Sequence, residues 1–229
     1  MSKHLQHDLE KLQRDILVQS AAVEEMIRRA ICALHERDVK MAQQVIAGDA
    51  QIDEEENEIE DECLKMLALH QPVAADLRRI AAVLKINNDL ERMADLAVDI
   101  AKRAVRLADL PFLVVPENLQ SMADLTVNMV GQSLRVFIDN DAQQARRVRR
   151  LDEQIDCYDT EITQELIAAM RRSPELIEPA LCLLRAVRYL ERIVAHAANI
   201  AEDVVYLVEG EIIRHHPEAI KETDVLQSK

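Results

Sequence analysis

Glycine is almost missing from this chain: 3 of 229 residues, alongside 6 prolines, 2 phenylalanines, 3 tyrosines and no tryptophan. A many-stranded sheet needs more turn residues than that, so the sequence excludes one. Basic residues are also short. There are 28 Lys and Arg against 42 Asp and Glu, a net charge of −14. An acidic chain without an aromatic-studded basic patch argues against nucleic-acid binding and against adhesion to anionic lipid, although a local basic face could still meet a partner. No apolar run is long enough to span a bilayer. The opening "MSKHLQHDLEKLQRD" lacks the apolar core of a secretion signal,. The expectation is a cytoplasmic protein without membrane insertion.

Catalytic signatures are missing as well. There is no phosphate-cradling GxxxxGK[ST] loop, no Gly-rich dinucleotide loop and no GxSxG elbow,. No glutamate is followed three residues later by histidine, the pairing used by di-iron bundle enzymes,. Cys32, Cys63, Cys157 and Cys182 are scattered without a CxxC and read as small apolar core residues,. Enzyme activity has no support.

What the sequence has is helix. Ala, Leu, Glu, Arg, Ile and Val dominate it, and the fold class is all-α,. Leu5, Leu9, Leu12, Ile16, Val23, Met26, Ala30 and Leu34 recur at three- and four-residue steps, skipping one turn at Gln19. That is the narrow seam of a bundle helix, ending near "HERD" at 35–38,. A second helix is predicted over 39–69, stopped by "HQP" at 70–72,. A third runs from about 74 to 107 through Leu77, Ile80, Leu84, Leu90, Ala94 and Ala97. "DLPFLVVPEN" at 109–118 reads as a linker.

After the linker the pattern restarts. "ERDVKMA" (36–42) matches "DNDAQQA" (139–145), and "GDAQIDEEENEI" (48–59) matches "LDEQIDCYDTEI" (151–162), both 103 residues later. "AAVLKINNDLERM" (81–93) matches "LCLLRAVRYLERI" (181–193) at an offset of 100, as if three residues had left a loop. The expectation is two tandem three-helix bundles, six long antiparallel helices of roughly 30 residues and about 45 Å each. The second repeat should carry helices near 118–139, 141–171 and 175–209, the last capped by Gly210,. The division is 1–112 for the first repeat, 113–210 for the second and 211–229 for a C-terminal tail.

Two acidic pairs stand out. Asp49 and Asp53 lie four apart on the second helix, and Glu91 and Asp95 four apart on the third. That spacing puts each pair on one helix face. Asp53 precedes the interhelical turn by about as many residues as Glu91 follows it, so antiparallel packing brings the pairs to one height. Such a face is either a solvated stripe or a cation site, because clustered carboxylates repel unless neutralised. Its oxygen donors suit Mg²⁺, Mn²⁺, Ca²⁺ or iron. The second repeat reproduces Asp152, Asp156 and Glu191 but places Ala195 where Asp95 stands. Its site is expected to be weaker. His196 lies about 100° round the helix from Ala195 and is a poor substitute ligand.

"GDAQID", "LDEQID", "NDLERMADLAVDIA", "YLERIVAHAANIA", "HQPVAADLRRIAAVLKI" and "IAEDVVYLVEGEIIRH" together resemble the PhoU family, over about residues 5–216. The resemblance implies a regulator of phosphate uptake and phosphate-starvation signalling that links the ABC phosphate transporter to a sensor histidine kinase. It implies restraint of that kinase when phosphate is plentiful, and frequently a homodimer. It also implies metal clusters, iron in some members, on the acidic pairs. Carried over, the ligands are Asp49, Asp53, Glu91 and Asp95, with Asp152, Asp156 and Glu191 in the second repeat. A metal-buffering or metal-sensing helical protein is the alternative; a metallohydrolase would need a pocket and a general acid or base, and the sequence displays neither.

Overall fold

The computed structural model describes residues 3–211; at Lys3, Asp152 and Glu153 only the backbone is described. The predicted tail, apart from Glu211, lies outside the described residues. Seven α-helices are present among them: α1 (Lys3–Glu36), α2 (Val39–His70), α3 (Ala74–Ala108), α4 (Glu117–Asp139), α5 (Ala142–Arg149), α6 (Asp152–Arg172) and α7 (Ile177–Glu209). A single 3₁₀ turn, Pro174–Leu176, precedes α7.

The caps repeat with the sequence. Asp38 accepts a hydrogen bond from the Met41 amide at 3.0 Å, and Asp141 accepts one from the Gln144 amide at 2.9 Å. Each satisfies an amide that the first helical turn leaves unpaired. The residue before each cap, Arg37 or Asn140, takes a left-handed conformation (φ 55° and 52°) that turns the chain. Arg37 also donates to the carbonyls of Leu107 and Leu110 at 3.0 and 3.1 Å, tying the first turn to the start of the linker. Gly210 ends α7 at φ 78°, a conformation glycine adopts without strain,.

The predicted helix over 141–171 is interrupted. At Arg150 and Leu151 the chain stays in right-handed helical torsions but tightens. The Arg150, Leu151 and Gln154 amides bond three residues back, at 3.0–3.1 Å. Ala142, Ala145, Val148 and Leu151 are spaced by threes, a period that keeps one face inward only if the chain winds more tightly than α,. In the first repeat Gly48 occupies the position of Leu151, and α2 runs through unbroken.

Packing is layered. α3 lies against α7 and α1 against α4 in the middle, while α2 covers one side and α5–α6 the other. One hydrophobic cluster runs through both repeats, so the two bundles share a core. The α1 seam is buried as predicted, and Gln19 is buried within it. Leu77 departs from expectation: it is exposed, in the first turn of α3. Cys63 and Cys182 are core residues, but Cys32 is half-buried and Cys157 is exposed on the outer side of α6.

Candidate metal face and the symmetry-breaking contacts

α2 and α3 are held in register by Ile52, Ile59, Cys63 and Met66 on one helix and Ile80, Leu90, Ala94 and Ala97 on the other, all buried. Their apolar faces meet inside, which leaves Asp49, Asp53, Glu91 and Asp95 along the outer seam. The four are close enough to act on one another. Burial pushes the Asp49 carboxyl up, and Asp53, Asp95 and Asp99 push it further, against an opposing effect from Lys102. Burial likewise raises Glu91, joined by Asp95, Glu56 and Asp53 and opposed by Arg92. The Glu91 Oε2 atom is buried without a hydrogen-bond partner. Arg92 lies 3.4 Å from both Glu91 and Asp95, so it pairs along its own helix and not across to a neighbour.

Glu56 and Asp99 belong to this face and were not selected from the sequence. Both were visible there: Asp99 extends the four-residue ladder Glu91–Asp95–Asp99, and Glu56 lies three after Asp53. Glu56 is itself raised, by burial first and then by Glu60 and Asp53. The carboxylates face one another without closing on a point. Among the described residues no three stand close enough to share an ion. The donor set nonetheless fits a hard cation in kind: all oxygen, anionic, mutually repelling, with one buried oxygen that accepts no hydrogen bond and meets only Arg92 at 3.4 Å,.

The second repeat differs. Asp156 is exposed on α6, and the Asp152 side chain lies outside the described residues. Glu191 accepts a hydrogen bond of 2.5 Å from Arg188, a residue that stands where the first repeat has Asn88. Ala195 and Asn199 replace Asp95 and Asp99. His196 does not turn to this face. Its Nδ1 meets Asp89 at 2.7 Å across the α3–α7 contact, where Asp89 is buried and Asn199 adds a longer contact of 3.4 Å.

Among the described residues, no helix is long and apolar enough to cross a membrane. The PhoU domain model matches twice, at residues 16–104 and 119–204. A phosphate-specific transport system accessory protein PhoU homolog of Aquifex aeolicus is 39% identical over 208 residues, 91% of this chain and 94% of that protein. Its counterpart in Pseudomonas putida is 38% identical, over 94% of this chain and 84% of its own length. The crystal structure of PhoU from Pseudomonas aeruginosa superposes with a TM-score of 0.84 at 36% identity, covering 90% of this chain and 99% of that one. That of the phosphate transport system regulatory protein PhoU from Streptococcus pneumoniae gives 0.85 at 32%, covering 91% and 98%.

Proposed function

This chain belongs to the PhoU family, and from that premise we propose that it is a non-enzymatic regulator of phosphate uptake. The observation that carries the reading is the double domain match together with relatives aligned over nearly their whole length. Those relatives are phosphate-specific transport system accessory proteins. The finer proposal is an adaptor in the cytoplasm, as a homodimer, between the ABC phosphate transporter and a sensor histidine kinase. Two long helical outer faces on opposite sides of one core support it, because they offer two separate docking surfaces. Restraint of the kinase requires preferential binding to one of its states. Depleting the protein in its host tests the reading: a phosphate-starvation reporter should rise in phosphate-rich medium. Unchanged repression sinks the proposal.

Within this reading Asp49, Asp53, Glu91 and Asp95 would hold a hard cation or a multinuclear cluster, with iron, Mn²⁺, Mg²⁺ or Ca²⁺ as the candidates. Asp152, Asp156 and Glu191 would form the weaker second site. Glu91, whose buried oxygen accepts no hydrogen bond, favours a second possibility, metal sensing as the purpose of the face. Alanine at the four first-repeat positions separates the two. An adaptor keeps transporter and kinase control while metal content falls, whereas a sensor loses its output with the metal.

A further inference from the structure

The contact between α3 and α7 is nearly two-fold symmetric, each residue of α3 standing for the residue 100 later in α7. Its two ends carry different charge. At one end Lys85 pairs with the buried Asp203 at 2.8 Å and lies 5.3 Å from the centre of the Tyr206 ring. At the other end the equivalent positions are Arg185, Arg103 and Arg106. The acid that balances Lys85 has become an arginine, and so has the aromatic ring.

These three arginines line a shallow recess of about 340 Å³ with Glu178, Leu181 and Cys182. Three guanidinium groups face one carboxylate there, so two positive charges remain. Glu178 approaches Arg106 at 3.6 Å, with both side chains exposed, a pairing that solvent weakens,. The Nε of Arg103 is buried and donates to nothing among the described residues. An orphaned buried donor calls for a partner. In a chain of net charge −14, three guanidinium groups beside one carboxylate run against the overall sign.

We propose that the Arg103–Arg106–Arg185 recess binds a phosphoryl oxyanion, either free phosphate or the phosphate of an anionic lipid headgroup. A guanidinium fork matches a tetrahedral oxyanion with paired, charge-assisted hydrogen bonds. The excess of two positive charges matches the free phosphate dianion best, while a singly charged phosphodiester headgroup would neutralise half of it. The open, exposed arms of Arg106 and Arg185 leave the recess accessible from solvent. The recess has its own lining on the α3–α7 side, although Asp99 of the acidic face stands one turn before Arg103 on α3, and it needs no metal.

The experiment uses the full chain, stripped of metal by chelator, in chloride buffer at fixed ionic strength. Inorganic phosphate is titrated in and followed by calorimetry. Flotation with phosphatidylglycerol–phosphatidylcholine vesicles forms the second arm. Arg103→Asp restores the acid found at the equivalent Asp203. It should weaken binding at least ~10-fold and raise the unfolding temperature without phosphate, since Arg185 gains a counter-charge. Arg185→Gln should also weaken binding and serves if Arg103→Asp does not fold; Arg28→Gln, remote on α1, should not. Saturable phosphate uptake lost in both recess variants identifies a free-phosphate site. Vesicle binding lost in them, without uptake of free phosphate, identifies a headgroup site. No binding in either arm, or binding undiminished in both recess variants, overturns the proposal.

Discussion

On the α2–α3 side, Glu91, Asp95 and Asp99 climb one helix face at four-residue steps; on the α6–α7 side the equivalent positions hold Glu191, Ala195 and Asn199. The first ladder is opposed by Asp49, Asp53 and Glu56 and keeps its charge uncompensated apart from Arg92 and Lys102. The second is short, and Arg188 occupies its remaining glutamate. Beneath both faces the cores correspond position for position: Leu90 with Leu190, Ile80 with Ala180, Ile59 with Ile162. Duplication has preserved what packing requires and released what solvent tolerates. A carboxylate pair kept in both copies, as Asp49/Asp53 is in Asp152/Asp156, is therefore a sharper sign of use than acidity alone, and Ala195 marks where the second face has lost a donor.

The largest test of that division is in the core. Leu90 and Leu190 are 0% and 1% exposed. Leu90→Ala and Leu190→Ala should each cost about 2–5 kcal/mol in denaturant unfolding, through lost burial and the cavity left behind. Because one core spans both repeats, either variant should unfold the whole chain in one transition,. Two separated transitions would show that the bundles are independent and break the comparison at its base.

Next comes the charge asymmetry. Glu91→Gln with Asp95→Asn should remove most of the iron or manganese retained after incubation and desalting, a loss of ~10-fold in affinity or more. Glu191→Gln should change it little. Elemental analysis of the two variants decides, and equal losses would mean that Ala195 and Arg188 do not weaken the second face. The reverse exchange, Ala195→Asp with Arg188→Asn, should raise metal retention above that of the unaltered chain.

Much of this was legible in the sequence because the duplication gave an internal alignment. Helix limits and the facing pairs Asp49/Asp53 and Glu91/Asp95 follow from three- and four-residue spacing. The break at Arg150–Leu151 was not seen, since a spacing of threes resembles an ordinary helical face until the winding is known. Nor was the role of His196, whose partner Asp89 is 107 residues away on another helix. Angular reasoning removed it from the metal face but could not supply that partner. Leu77 failed for a related cause: periodicity tells which side of a helix is apolar, not which of its residues a neighbour covers.

A smaller effect lies within the α1 seam. Gln19 is 0% exposed, and neither its amide oxygen nor its nitrogen has a hydrogen-bond partner among the described residues. The second repeat places Met122 at this position, also fully buried. Gln19→Met removes two unsatisfied polar atoms at similar volume and should stabilise the protein by about 1–2 kcal/mol. Thermal unfolding measures it. Destabilisation would instead mean that the amide holds a ligand or water that methionine cannot replace.

The smallest effect belongs to the second repeat alone. Arg146 donates to both oxygens of Glu209 at 2.8 and 2.6 Å; the equivalent first-repeat residues, Gln43 and Asp109, cannot form such an ion pair. The hydrogen bond from Arg146 holds the Glu209 carboxyl below its ordinary value of 4.5, although burial opposes it. A carboxyl depressed by folding contributes stability that is complete above its unfolded value and lost as pH falls through the lower folded one. Glu209 remains about one-third exposed, so solvent limits the contribution to under ~1 kcal/mol,. Arg146→Gln should therefore be slightly less stable than the unaltered chain at pH 7 and by the same margin at pH 6. The margin should close as the pH drops below 4.5, once the carboxyl is protonated in both proteins. A margin that persists unchanged into strong acid would mean that the arginine acts through its packed methylene stem rather than its charge.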